Sequence, residues 1–227
     1  MSSETNDYRK YFIVDGRHVG DYEGMYQNCP DPWRIEELGF RLDMRAALAL
    51  VDLLPAGPLR VLDVGCGAGF LTERLAGLLS ATRPGSTLTG TDVSPKAAQL
   101  AAARLEARAG AFPGVKAGFV AFDSRRLGGP GTPWADGSFD LVFMSQVVWG
   151  LAGSLGDVFR GARQVLSPEG SLVLSQHFPP EGEQAHAPEV RPETLAVMIG
   201  EAGFALEHTL ETDREANRHW AGLWSCV

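Results

Sequence analysis

Nine residues constrain this chain more than any others: Val61-Leu62-Asp63-Val64-Gly65-Cys66-Gly67-Ala68-Gly69. The run from Arg60 to Val64 reads as a strand buried on both faces. It leads straight into a glycine-rich turn, and Phe70 to Leu79 then reads as a helix. That order places the turn at the carboxyl edge of a parallel sheet, where open α/β folds bind ligands. Glycines there let the backbone turn and approach a ligand without a Cβ clash. A dinucleotide fingerprint needs a small residue where Phe70 stands, and that ring is too large. Asp63, inside the strand end, suits a cationic ligand better than a pyrophosphate.

The rest of the chain repeats this rhythm. Thr87 to Asp92 is a second strand, and Ser94-Pro95 opens a helix, Ser as the cap and Pro in the first turn. That Ala-rich helix runs to about Ala109. Val115 to Phe122 is a third strand, ending at Asp123, and Phe139 to Met144 a fourth. A helix from about Ser154 to Leu166 stops at Ser167-Pro168-Glu169-Gly170, and Ser171 to Gln176 is a fifth strand. The alternation predicts a doubly wound, mostly parallel α/β sheet. After a helix over Pro192 to Glu201, the stretches Phe204 to Leu210 and His219 to Val227 read as an antiparallel pair at the sheet edge.

Ahead of this body, Asp15-Gly16 between Tyr11–Val14 and Arg17–Val19 signals a β-hairpin. The prolines of Cys29-Pro30-Asp31-Pro32-Trp33 break any helix there. Ile35, Leu38, Leu42, Ala46, Ala49 and Leu53 recur at helical spacing and predict one amphipathic helix from Arg34 to Leu54. Residues 1–58 thus form a hairpin and helical lid, and residues 59–227 one compact cofactor-binding unit.

Composition narrows the class. The 227 residues are 44% hydrophobic and 21% charged. No apolar run approaches the ~20 residues of a membrane helix, and Met1 to Lys10 lacks the apolar core of a secretory signal. The net charge of −8 argues against a phosphate backbone as partner. Cys29, Cys66 and Cys226 are odd in number and lack Cys-x-x-Cys spacing, so neither a disulfide framework nor a structural zinc is expected. A reducing cytoplasm fits, and the excess of Arg over Lys with abundant Ala and Gly hints at a bacterial genome.

Asp92 ends the second strand, where an acidic side chain accepts hydrogen bonds from a ribose diol. With the glycine loop and Asp92 together, the chain resembles the class I S-adenosylmethionine-dependent methyltransferases over roughly Leu59 to Phe178. The resemblance rests on the Asp63 to Gly69 loop, Asp92, Asp123-Ser124, Phe139-Asp140-Leu141-Val142 and Leu166 to Leu174. It implies a seven-stranded, Rossmann-like sheet with its last strand antiparallel, and S-adenosylmethionine as cofactor. Carried across, Asp63, Gly65, Gly67 and Gly69 back the methionine moiety, Asp92 and Val93 meet the ribose and its surroundings, and Asp123 with Ser124 faces the adenine. Ser145 closes the cofactor set. Glu169 stands where many members have Gly, in a turn. Asp140 and Cys66 read as structural.

Methyl transfer from a sulfonium needs alignment and dryness, and a base only where the acceptor must lose a proton. His177, at the end of the fifth strand, is the expected base. His18, His186, His208 and His219 are weaker candidates. Gln146 and Trp149, after the fourth strand, and Tyr22 and Tyr26, on the lid, are candidate acceptor contacts. Asp31-Pro32-Trp33 followed by an Arg-bearing helix is similar to the nodulation-factor N-methyltransferases, which implies an amino-sugar acceptor, Trp33 against the cofactor and Arg41 or Arg45 opposite its carboxylate. The acidic-Pro-Pro-aromatic and Pro-Cys signatures of DNA methyltransferases are absent. The reading is an enzyme that methylates a nitrogen or oxygen of a small molecule, with neither nucleic acid nor membrane as partner, acting as a monomer or homodimer. The rivals are a nicotinamide-dependent oxidoreductase and a non-catalytic cofactor-binding subunit. Trp220 and Trp224 face either the core or a dimer partner.

Overall fold

A computed structural model describes residues 9–14, 17–179, 190–214 and 217–227. The Asp15-Gly16 turn, His186 and the Pro180-Glu181 stretch lie outside those residues. Seven strands form the sheet: β1 (Arg60–Val64), β2 (Thr87–Asp92), β3 (Lys116–Ala121), β4 (Phe139–Ser145), β5 (Leu166–Phe178), β6 (Phe204–Arg214) and β7 (Asn217–Cys226). Their order across the sheet is β3-β2-β1-β4-β5-β7-β6. Neighbours pair in parallel except where β7 runs antiparallel between β5 and β6. The doubly wound, seven-stranded expectation holds, antiparallel strand included. Successive strands wind outward from β1 in both directions, so the switch point lies between β1 and β4, where the glycine loop emerges.

Among the described residues the longer helices are α1 (Tyr22–Asn28), α2 (Leu42–Val51), α3 (Phe70–Thr82), α4 (Pro95–Glu106), α5 (Leu155–Val165) and α6 (Pro192–Glu201). Side chains alternate between two cores, as the pleat requires. On one face Leu62, Val142, Leu172, Leu174 and the indoles of Trp220 and Trp224 pack against α5 and α6. On the other, Val61, Leu141, Phe143, Val173 and Leu223 pack against α2 and α3. Both tryptophans therefore belong to this chain's own core. Phe143 and Trp224 are each at most 1% exposed, and burial of a ring that size removes much of its ~150–250 Å² from water.

Three local expectations are corrected. The helix expected over 34–54 is two pieces, a short turn Ile35–Leu38 and α2, broken at Gly39, whose φ of +71° suits glycine. The buried stripe of α2 is Asp43, Met44, Ala47, Leu50 and Val51, whereas Leu38, Leu42 and Leu53 are exposed. Ala and Leu surround this helix on most sides, so periodicity alone cannot choose its inner face. A short helix, Arg9–Phe12, takes in Tyr11 and Phe12, where the first hairpin strand was expected, leaving two-residue strands, Ile13–Val14 paired with Arg17–His18. The Tyr- and Met-rich stretch after Asp21 is a helix, capped by the Asp21 carboxylate accepting from Gly24 N at 2.9 Å.

Candidate active site

The carboxyl edge of β1 and β2 is built around two buried acids. Asp63 Oδ2 accepts from Thr72 Oγ1 at 2.6 Å, tying β1 to α3. Burial pushes the Asp63 carboxyl up to about 7, and the neighbouring Asp92 adds to the shift. Asp92 accepts from Gly67 N at 3.0 Å through one oxygen and from Ser94 N at 2.9 Å through the other. It thereby joins the glycine loop to the start of α4. Burial raises its carboxyl too, opposed by those two backbone donors.

The glycines are required by the loop's own packing. Gly65, Gly67 and Gly69 all have left-handed φ. A Cβ on Gly65 would lie 2.5 Å from the Val147 side chain, and one on Gly69 would lie 2.8 Å from Ala101 Cα. A Cβ on Gly67 would meet the Tyr26 hydroxyl at 2.6 Å, so α1 lies directly over the loop.

The lid is fastened by a residue that sequence reasoning missed. Glu23, on α1, accepts from Ser94 Oγ at 2.6 Å and from Lys96 N at 3.0 Å. Those donors hold its carboxyl below the usual range. Tyr26 is buried among Met25, Ala68 and Ala97, and accepts from Trp33 Nε1 at 3.1 Å. Tyr22 packs edge-on against Phe12, and burial together with the nearby Asp92 pushes its phenol up to about 12. The structure thus brings Tyr22, Tyr26, Trp33, Gly67 and Asp92 together. Val93 is 44% exposed beside Asp92. Asp123 stands at the end of β3, where Arg125 pairs with it at 2.7 Å and lowers its carboxyl. Ser124, next to it, is buried.

A second group of predicted residues gathers where β4 and β5 end. Ser145 Oγ lies 2.8 Å from Ser175 Oγ. Gln146 adopts φ +60°, rare for a non-glycine residue, and such strain persists only where surroundings over-determine it. Here they do. Its Oε1 accepts from Arg41, from Gln176 Nε2 at 3.1 Å and from His177 N at 3.2 Å, while its Nε2 donates to Asp43. Trp149 Nε1 donates to the His177 carbonyl at 3.4 Å. His177 Nε2 lies 3.1 Å from Asn217 Oδ1, and burial and Arg41 lower its pKa. Arg45 takes no part, lying exposed on α2.

The residues present fit S-adenosylmethionine. Asp92 offers a buried carboxylate whose further lone pairs can accept from a diol, Val93 an apolar surface beside it, and Asp123 a second acid one strand away. The Tyr-rich lid over Gly67 supplies aromatic walls of the kind that favour a cation.

Comparison with known proteins agrees with this geometry. The family described as "Methyltransferase domain" matches residues 62–174. The malonyl-[acyl-carrier protein] O-methyltransferase of Legionella pneumophila is 32% identical over 160 residues, 70% of this chain, although those span only 46% of that enzyme. The demethylmenaquinone methyltransferase of Thermus thermophilus is 28% identical over 211 residues, covering 77% of this chain and 88% of that one. Among solved structures, the N-methyltransferase NodS of Bradyrhizobium japonicum with bound S-adenosylhomocysteine superposes with a TM-score of 0.64 at 21% identity, over 86% of this chain and 92% of NodS.

Proposed function

We propose that this chain is a class I S-adenosylmethionine-dependent methyltransferase, the reading that the matched methyltransferase domain supports, and that it methylates an oxygen or nitrogen of a small-molecule acceptor. The observation that carries the reading is the Asp92 carboxylate held by Gly67 N and Ser94 N. It sets a diol acceptor, a glycine loop and a helix start in one place. In this reading Asp92 and Val93 hold the ribose side of the cofactor, Asp123 and Ser124 the adenine side, and Asp63 with Gly65, Gly67, Gly69 and Ser145 the methionine side. Trp33 closes over them. The cofactor supplies an electrophilic methyl group on a sulfonium sulfur.

The protein's own contribution is alignment and exclusion of water. Glu23 pins the lid to α4, and the Tyr26 hydroxyl, bonded to Trp33, lies over Gly67 of the loop. Effective molarities of aligned reactants correspond to up to ~7–11 kcal/mol of barrier lowering, so a closed lid is worth more than any single contact. Gln146 and Trp149 line the acceptor side. Of the relatives named above, one is named for O-methylation of malonyl-[acyl-carrier protein] and the other for demethylmenaquinone; the second supports a small-molecule acceptor, alongside the amino sugar suggested by Asp31-Pro32-Trp33. An odd number of cysteines without Cys-x-x-Cys spacing fits a reducing cytoplasm as the compartment. Among the described residues no helix is long and apolar enough to cross a membrane.

The test is transfer of a tritiated methyl group from S-adenosylmethionine to panels of hydroxyquinones, catechols and amino sugars. Label in a small-molecule product is expected. Cofactor binding with no transfer to any panel would favour a non-catalytic subunit, and oxidation of reduced nicotinamide would favour the oxidoreductase.

A further inference from the structure

Asp43 is 1% exposed, on a helix otherwise buried through apolar residues. A carboxylate that deep persists only when paired and hydrogen-bonded. Its partners are Gln146 Nε2 and His219 Nδ1, the latter at 2.6 Å. Arg41 Nε lies 3.6 Å away. His219 sits on β7 directly opposite His177 on β5, their rings 4.9 Å apart, at the sheet edge where β4 and β5 end. Gln146 contacts Asp43, and the next residue, Val147, packs on Gly65. Two consecutive residues therefore connect the Asp43–His219 pair to the glycine loop. In the same cluster Gln176 Oε1 is buried without a hydrogen-bond partner among the described residues, an acceptor left open for a ligand's donor.

We infer that His219, oriented by Asp43, takes the acceptor's proton, and that the acceptor is a hydroxyl. The inference rests on the methyltransferase reading above. A carboxylate at Nδ1 holds the proton on that nitrogen, leaves Nε2 bare, and stabilises the imidazolium once formed. His219 Nε2 has no protein partner among the described residues, and the side chain is 19% exposed. Among the described residues His177 Nε2 has the neutral Asn217 amide as its hydrogen-bond partner, and the effect of the cationic Arg41 on it outweighs that of Asp43. As the acceptor oxygen bonds to the methyl carbon, its O–H proton passes to His219 Nε2. The S–CH₃ bond breaks with its electron pair on sulfur, leaving S-adenosylhomocysteine, and the imidazolium returns its proton to water. A neutral amine would need no such pair. Asp43 is a positioning residue in this scheme, and His219 the catalytic one.

The test combines spectroscopy, chemical reactivity and transfer on the whole protein. Long-range ¹H–¹⁵N spectra of histidine-labelled protein are expected to show neutral His219 protonated at Nδ1, with Asp43→Asn shifting it toward the Nε2–H form. Diethyl pyrocarbonate, followed residue by residue, is expected to modify His219 faster than His177. His219→Asn should lower kcat on a hydroxyl probe by about 100-fold or more, the usual worth of a general base, with S-adenosylhomocysteine affinity unchanged. An Nε2–H His219, faster modification of His177, wild-type transfer to amines alone, or an unimpaired His219→Asn would each overturn the inference. Failure of the wild type to bind S-adenosylhomocysteine would instead contradict the methyltransferase reading beneath it.

Discussion

Asp63 is a buried acid, 4% exposed. It lies under the glycine loop with one hydrogen-bond donor, Thr72, and a second acid nearby. Its carboxyl keeps its proton in the fold to about pH 7 but loses it near 3.8 in the unfolded chain. The native state therefore binds the extra proton between those values, and the stability this provides is full below pH 3.8 and lost as pH rises through 7. Asp63→Asn removes the titration and keeps an oxygen for Thr72. Between pH 5 and pH 8 the wild type is expected to lose roughly 2–3 kcal/mol relative to the variant, by urea midpoints at each pH. Parallel pH curves would show that Asp63 stays ionised throughout. At this scale the sequence was readable in part. Asp63, the three glycines and Asp92 are adjacent to strand ends and declare themselves by position. Asp43 and His219 are separated by 176 residues, and Glu23 and Ser94 by 71, so no local pattern signals either contact.

At the scale of elements, the glycine loop governs how α3 and α4 meet. Gly69 begins α3 with φ +80°, and a Cβ there would reach the backbone of Ala101 on α4 at 2.8 Å. Both the left-handed conformation and the helix contact exclude a side chain. Gly69→Ala is expected to cost about 2–4 kcal/mol, from backbone strain and overpacking together, and to weaken S-adenosylhomocysteine binding by moving α4 away from Asp92. Thermal unfolding and calorimetry on the variant check both; a wild-type melting temperature would show that the helices separate at no cost. Elements β1 to β4 and the Ser171–Gln176 part of β5 were legible because buried parallel strands and amphipathic helices differ plainly in period; β5 begins at Leu166, where a helix end and a turn were expected, with a register irregularity against β4 there. The lid was not. Apolar residues continue at helical spacing across Gly39, so the break there is a backbone conformation that hydropathy cannot register. The helix α1 draws its stability from the Asp21 cap and from packing on Ala68 and Ala97, contacts supplied by the body of the fold.

Across the whole molecule, one sheet edge carries two adjoining groups. In the proposed reading, acids at the ends of β1, β2 and β3 form the cofactor side, under a lid tied down by Glu23. The ends of β4 and β5 and the start of β7 would form the acceptor side, where Gln146 joins Arg41, Asp43, Gln176 and His177. The antiparallel β7 matters here, because its direction brings His219, near its start, to the edge where the parallel strands finish. The central claim is that the cofactor side binds S-adenosylmethionine through Asp92. Titration calorimetry with S-adenosylhomocysteine, on wild type and Asp92→Ala, tests it most directly. The account predicts binding to the wild type and a loss of about 1–3 kcal/mol in the variant, the range for hydrogen bonds to a charged group. No binding to folded wild-type protein, or equal affinity in Asp92→Ala, would contradict it.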